Sequence, residues 1–566
     1  MAKAMAFQGS SMEWQLNIYK IIERGIRYFP KQEIVFQTYD KGVQRYTYAD
    51  LYKRACSMAN ALKKLGLKPG GRVTVCGTNI VEVFESHMAI LLAGGVVNST
   101  NPRFSVDYIM KGINRMEDSI AIVDRLLVPL FEKMAPQLKT IKHYIIMPDK
   151  VETTLTPVYS FSELCKSTSS TLDLDALLDT NEYEAAFHQC TTGTTGTPKA
   201  CVFSHRGCYL QILGQCMTDA HGFTQYDTIL HVIPSYHGFW FYHITGWLLG
   251  MKQVFIGPMF DPDLVLKLIQ QEKVTCTGGT PEVWTMVLNF LKMQKAKGVT
   301  YDLSSLNRIF LAGTAPPVSL QKDFDELGIK PMHVFGMTEM TGPHGTSSKP
   351  KPYFKLSQDE RYELMKKQGL PLPMVQVKGL DDKDKEIPWD DTTIGELCLK
   401  GGSVLRNHYA MEEESKSLWT KDGWFRSGDL ITIDAEGYMT IMDRKKDLIK
   451  TGGEFISTIE LGANIFAYPK VAETAVVGMP HPKWGERPLA LVVPQPANKG
   501  DITEEEILKF IQPKVPSWWL PDEILFVEEI PKTSVGKIDK SAIRLKYRTT
   551  SCPRCPCIKL CSVNRL

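Results

Sequence analysis

The chain has 566 residues, 43% hydrophobic and 23% charged, with 66 lysines and arginines against 63 aspartates and glutamates for a net charge of +3. That length exceeds one ordinary hydrophobic core and implies at least two folding units. The even charge argues against electrostatic nucleic-acid binding as the main task, and no run of about 18 apolar residues marks a membrane-spanning helix.

Residues 1–11 hold a lysine but no apolar segment of the kind a secretory signal needs. Apolar residues at helical spacing over 48–65 predict a helix, which 66–70 with its two glycines and a proline ends. A buried strand follows at 72–76, a helix at 81–92, and strands at 96–98, 121–123 and 144–147. Such alternation predicts parallel α/β layers. It resumes with a strand at 253–256, a helix at 262–272, a strand at 274–277, a helix from Pro281 and a strand at 308–312. The most apolar stretch, 239–251, is interrupted by His243, Thr245 and two glycines.

A β-rich segment is expected from about Val375 and includes a strand at 437–442. Composition changes near residue 444. A helix, a strand pair within 475–493, a helix opened by the Thr503/Glu506 capping box, a strand at 525–527 and a final helix near 540–547 then form a short α+β series. The expected fold is α/β: a large N-terminal domain (1–443) of layered α/β subdomains plus the small β-rich segment, then a small α+β C-terminal domain (444–548). Residues 549–566 carry Cys552, Cys555, Cys557 and Cys561 and are expected to be a disordered tail, with zinc coordination or lipid attachment as alternatives. The other nine cysteines are scattered singly, the pattern of a reducing compartment. A cytoplasmic location is expected, with the peroxisome or another organelle matrix left open.

The run Gln189-Cys190-Thr191-Thr192-Gly193-Thr194-Thr195-Gly196-Thr197-Pro198-Lys199 has the chemistry of a polyphosphate cradle. Glycines let successive backbone N–H groups turn toward one anion, hydroxyls add donors, and Lys199 adds charge. Cys201-Val202-Phe203 predicts a strand after it, so the loop joins two strands rather than opening a helix. It is not a Walker A loop, because Thr197-Pro198 separates Gly196 from Lys199.

On this loop the chain resembles the adenylate-forming superfamily of acyl-CoA synthetases, nonribosomal-peptide adenylation domains and luciferases. Cys190, Thr192 and Ala200 stand where the family motif has Tyr, Ser and Gly. Further motifs follow in family order: Ala312-Gly313-Thr314-Ala315-Pro316, Phe335-Gly336-Met337-Thr338-Glu339, Trp424-Phe425-Arg426-Ser427-Gly428-Asp429, Asp443-Arg444-Lys445-Lys446-Asp447, Gly452-Gly453-Glu454, and Pro531-Lys532-Thr533-Ser534-Val535-Gly536-Lys537. The likeness spans about residues 30–548 and is nearest in look to medium- and long-chain fatty acyl-CoA synthetases.

The resemblance implies two half-reactions: a carboxylate attacks the α-phosphate of ATP and releases pyrophosphate, then the thiol of CoA displaces AMP. ATP, Mg2+ and CoA are the implied cofactors, and a medium- to long-chain fatty acid the implied substrate. An aryl- or short-acid CoA ligase and a non-catalytic nucleotide- or acid-binding relative are the alternatives. Thr191, Thr192, Gly193, Thr194, Thr195, Gly196 and Lys199 would meet phosphate. Gly313, Thr314 and Ala315 would line the adenine, with Phe335 and Gly336 counted among the nucleotide contacts. Asp429, on a tight Gly-Asp turn, would accept from the ribose hydroxyls. Arg444 would touch ribose or phosphate, and Lys450 the nucleotide. Glu339 with Thr191 would hold Mg2+, Thr338 would donate to the α-phosphate, and Lys537 would carry adenylation. His237 would stand between nucleotide and acyl pocket, and Lys446 is the implied hinge of a mobile small domain. Phe455 stands where long-chain members often carry Trp, which leaves chain length open. Gly462 is expected to weaken its helix by about 1 kcal/mol. No nucleic-acid partner is expected; peripheral membrane contact and a monomeric or homodimeric state are left open.

Overall fold

The computed structural model describes residues 11–40, 42–191, 198–237, 240–409, 415–452, 454–532 and 538–547. The fold is mixed α/β, with a large N-terminal and a small C-terminal domain. Local chemistry sets many of its elements. Helix Tyr48–Lys64 starts behind a capping box in which Thr47 and Asp50 satisfy each other's backbone N–H groups. The apolar runs it precedes become the strands Arg72–Cys76, Val96–Ser99, Ile120–Asp124 and His143–Met147, with helix Val81–Leu92 between the first two.

Seven strands form one sheet in the order Val158–Ser160, His143–Met147, Ile120–Asp124, Arg72–Cys76, Val96–Ser99, Ala185–Thr191, Lys199–Ser204. All neighbours are parallel except the last pair, an antiparallel hairpin. A nine-stranded sheet runs Leu370–Pro371, Gly342–Ser347, Lys330–Met337, Arg308–Leu311, Cys276–Gly279, Thr228–His231, Lys252–Phe255, Glu33–Gln37, Val43–Thr47. Its first two and its last are antiparallel to their neighbours. The strand expected at 274–277 begins two residues later, because Lys273 closes helix Pro262–Glu272 in a left-handed conformation and Val274 still answers to the helix through Ile269.

The hairpin Glu33–Gln37/Val43–Thr47 was not among the predicted elements. It enters the second sheet before the chain has built the first, with Ile34 opposite Gln253 and Phe36 opposite Phe255. The two sheets therefore share a core, in which Ile34, Phe84, Val97, Trp247 and Phe255 are all buried. Helix Trp240–Leu249 occupies the apolar 239–251 stretch inside that core. Trp247 stacks on Tyr48 at 4.2 Å, donates to the Ile22 carbonyl at 3.0 Å and lies over Gly25, where a Cβ would fall 2.0 Å from its indole nitrogen. Burying one such side chain contributes about 1.5–3 kcal/mol. No helix among the described residues is long and apolar enough to cross a membrane.

Val375–Leu380, Gly395–Gly401, Phe425–Ile433 and Met439–Arg444 then form an antiparallel sheet. The last strand lies two residues beyond the expected 437–442, because Gly437 closes a turn on Asp434 with φ 85°. Beyond it, Ile449–Thr451, Glu454–Ile456, Val471–His481, Gly485–Pro494 and Glu523–Phe526 make the small domain's sheet. Helices Thr458–Phe466, Glu504–Ile511 and Lys540–Tyr547 accompany them, the second opened by the expected Thr503/Glu506 box.

Candidate active site

The phosphate loop joins two strands, as its sequence requires. Thr191 and Lys199 are the last cross-strand pair of the hairpin, and 192–197 between them, with Thr192, Gly193, Thr194, Thr195 and Gly196, lie outside the described residues. Helix Val106–Met116 holds both feet of the loop. The Tyr108 hydroxyl donates to the Thr191 carbonyl, and Arg115 Nη1 donates to the Pro198 carbonyl at 2.9 Å. Ala200 is fully buried, and its carbonyl accepts from Tyr409 N–H at 2.9 Å, so the methyl in place of glycine is accommodated.

Strand Lys330–Met337 carries Phe335 and Gly336 into the short turn Thr338–Met340, and Gly342–Ser347 returns beside it. Thr338 and Glu339 are half-buried at this tip. Segment 403–409 is strapped across it: the Thr341 hydroxyl donates to the Ser403 carbonyl, and Leu405 N–H donates to the Glu339 carbonyl at 2.9 Å. The strap brings His408 Nε2 to 3.5 Å from Glu339 Oε1. Cys201 Sγ, a Glu339 carboxylate oxygen and a His408 ring nitrogen all lie within 4.8 Å of one another. Burial first, and the Glu339 charge second, push the Cys201 thiol well above its ordinary pKa, against a hydrogen bond with the Thr191 hydroxyl. Thr191 and Glu339 both act on the Cys201 thiol. Cys201 and His408 were not singled out in the sequence. Cys201 reads as one apolar residue of a strand, and His408 stands in no recognised motif.

Gly313, Thr314 and Ala315 follow strand Arg308–Leu311, whose neighbour by register is Lys330–Met337, with Leu311 opposite His333. The Gly313 loop and the Phe335-Gly336 segment therefore leave adjacent strand ends. Gly313 has φ 102°, a conformation side chains resist, and Thr314 bonds Glu282 at 3.2 Å. His237 is half-buried in a turn where its N–H donates to the Pro234 carbonyl at 3.0 Å. Gln189, two residues before Thr191, donates to the Tyr236 carbonyl, which ties the His237 turn to the phosphate hairpin.

Asp429 lies within strand Phe425–Ile433 and not on a tight turn; Gly428, at φ 76°, supplies the local bend. The Asp429 side chain is 9% exposed, and its cross-strand neighbour Arg444 places Nε 3.3 Å from Oδ1. Lys446 is exposed in the turn between Met439–Arg444 and Ile449–Thr451, and Lys450 is exposed on the latter strand. On one side of Lys446, Lys445 Nζ reaches Glu396 of the four-stranded sheet at 3.2 Å. On the other, Asp447 meets Arg544 of the last helix at 2.8 Å. Lys537 lies outside the described residues; Lys532 and Ile538, which flank its segment, are bridged.

Residues 22–409 match the AMP-binding enzyme family and residues 460–537 the AMP-binding enzyme C-terminal domain. The chain is 36% identical over 546 residues to a long-chain-fatty-acid–CoA ligase of Thermus thermophilus, covering 96% of this chain and 98% of that one. It is 33% identical over 545 residues to a medium-chain-fatty-acid–CoA ligase of Ectopseudomonas oleovorans, at 95% and 97% coverage. The ATP-bound MatB structure from Rhodopseudomonas palustris is similar at a TM-score of 0.80 and 26% identity, over 94% of this chain and 99% of that one. With the phosphate hairpin, the Glu339 turn and the Asp429 strand all falling within one fold, this chain belongs to the AMP-binding enzyme family and is an AMP-forming acyl-CoA ligase.

Proposed function

We propose that the enzyme activates a medium- to long-chain fatty acid. The similarity to the long-chain and medium-chain fatty-acid ligases, along almost the whole of each chain, carries this reading. The apolar setting of the His237 turn, with Tyr236 beside it and helix Trp240–Leu249 after it, supports it.

The roles that the family resemblance implies for its residues fit this chemistry. In the first half-reaction a carboxylate oxygen bonds to the α-phosphorus and the bond to pyrophosphate breaks. Charge neutralisation and positioning govern such a step more than proton transfer does. Thr191–Lys199 receives the phosphates, Thr338 donates to the α-phosphate, and Lys537 screens the carboxylate and phosphate as they meet. Asp429 accepts from the ribose hydroxyls, with Arg444 fixing its orientation. Gly313, Thr314, Ala315, Phe335 and Gly336 flank the base, and Lys450 approaches the nucleotide. Glu339 and the Thr191 hydroxyl are hard oxygen donors of the kind that suits Mg2+ completed by substrate phosphates, and the ion would supply further charge neutralisation. In the second half-reaction the CoA sulfur loses its proton, bonds to the acyl carbonyl carbon, and AMP leaves. Lys446, between one residue tied to each domain, is where the small domain turns between the two.

Thioester formation over acetate, octanoate, palmitate, benzoate and cinnamate tests the substrate class. The highest kcat/KM is expected for octanoate or palmitate; a preference for acetate or an aromatic acid would overturn the chain-length reading and leave the ligase chemistry standing.

A further inference from the structure

We infer that Cys201, Glu339 and His408 form a site for a soft divalent cation of the zinc class, and that a cation held there blocks adenylation by occupying Glu339. The second clause rests on the role proposed above for Glu339; the first does not.

Main-chain pairing builds the site. Ala200 and Tyr409 form an antiparallel bridge, with Tyr409 N–H donating to the Ala200 carbonyl at 2.9 Å. One step along each segment, Cys201 and His408 are opposed, and side chains of directly opposed residues leave the same face of a strand pair. Leu405 N–H on the Glu339 carbonyl brings the third ligand from another loop. The three ligand atoms lie within 4.8 Å of one another. Cys201 is fully buried and the His408 side chain is 1% exposed, with the edge of Trp419 against the ring at 5.9 Å.

A second observation also points to a ligand. Among the described residues, His408 Nδ1 has no hydrogen-bond partner, and Nε2 has Glu339 only at 3.5 Å. A buried imidazole so poorly bonded costs free energy, and a metal bond at Nε2 would replace its one long contact and offset part of that cost. The donor chemistry selects the ion. Thiolate, imidazole and carboxylate with a fourth position open suit zinc, whereas Mg2+ takes oxygen ligands in near-octahedral geometry. On binding, the Cys201 S–H bond breaks, the proton leaves to solvent and a sulfur–metal bond forms, with no change of oxidation state. Since Glu339 belongs to both arrangements, the soft cation and the nucleotide's Mg2+ exclude one another.

The test is a Co2+ titration of the full chain with Cys552, Cys555, Cys557 and Cys561 all changed to serine, so that no tail thiol contributes. One equivalent is expected to produce thiolate-to-cobalt charge-transfer absorption, which Zn2+ displaces. Cys201→Ser should abolish the band, and His408→Gln should weaken Co2+ binding by roughly tenfold or more, as loss of support at metal sites typically does. Circular dichroism melting of each variant checks its fold, and the histidine variant keeps the test decisive if the cysteine one unfolds. No band in the tail-free chain, or a band unchanged in Cys201→Ser, would overturn the site. In ATP–pyrophosphate exchange, the zinc concentration that halves each protein's own zinc-free rate should rise roughly tenfold in Cys201→Ser. One-equivalent binding with undiminished exchange would keep the site and overturn the block.

Discussion

Asp429 and Arg444, the proposed ribose contacts, hold each other in place without any ligand. The carboxylate is almost buried, yet a guanidinium 3.3 Å away on the next strand offsets the cost of that burial and fixes where its oxygens point. Glu339 is poised differently, on a turn whose main chain is bonded to the 403–409 strap. Lys537 complements both, as the one positive group proposed to act only while carboxylate and α-phosphate meet. Lys537→Ala is therefore expected to slow acyl-adenylate formation on the order of 100- to 1000-fold, the usual effect of losing a positioned donor. Thioester formation from supplied acyl-adenylate should fall far less. Equal losses in the two half-reactions would place Lys537 in general folding or nucleotide affinity instead. The motifs that hold the oxygen ligands proposed for Mg2+ were legible in the sequence because they are contiguous. The sulfur and nitrogen beside them were not, since Cys201 and His408 come together only through a bridge between distant segments.

At the level of elements, caps and periodicity governed what could be read. Helix Glu504–Ile511 and helix Tyr48–Lys64 announce themselves by residues within one turn of their starts. Strand Glu33–Gln37 gives no such signal, because its place is set by pairing with Lys252–Phe255, far along the chain. Asp429 was expected on a turn for a related reason: Gly428 marks a local bend, and only the partner strands reveal that the chain stays extended through it. Helix Thr458–Phe466 offers a direct check on propensity. Ser457 caps it, and Gly462 is buried in its middle, where an added Cβ would lie 3.8 Å from Val476 Cγ2, ordinary contact. Nothing there requires glycine. Gly462→Ala is expected to stabilise the small domain by about 1 kcal/mol, measured as a rise in its denaturation midpoint. A fall would mean that the neighbouring sheet cannot yield even a methyl's space.

Across the whole molecule, the shared core carries a liability to acid. His231 and His243 meet at 4.2 Å, and His87 adds to the charge felt by His243. Burial brings His87 and His231 from 6.5 down to about 3, and holds His243 well below its ordinary value. The unfolded chain protonates the His87 and His231 imidazoles as pH falls through about 6.5, while the folded one refuses those protons until about 3, so their contribution to stability is flat above that window and declines within it. Each group removes about 1.4 kcal/mol per pH unit there. Urea midpoints should therefore drop from pH near 7 toward 5, less steeply than the histidines alone would give, because buried Glu82, raised to about 7, holds a proton in the folded state over the same range; a midpoint independent of pH over that range would contradict the buried neutral state.

The two domains are also stitched at their junction. Asp443, 1% exposed on its side chain, accepts from Thr458 N–H at 2.7 Å and from the Thr458 hydroxyl, and lies 3.5 Å from Lys540. On the roles proposed above, the phosphate hairpin, Glu339, Asp429 and the small domain together make an acyl-adenylate. Exchange of labelled pyrophosphate into ATP measures that step alone. The account predicts exchange that needs a fatty acid and a divalent cation and proceeds without CoA. Exchange independent of added acid, or none with any acid in the presence of Mg2+, would contradict it.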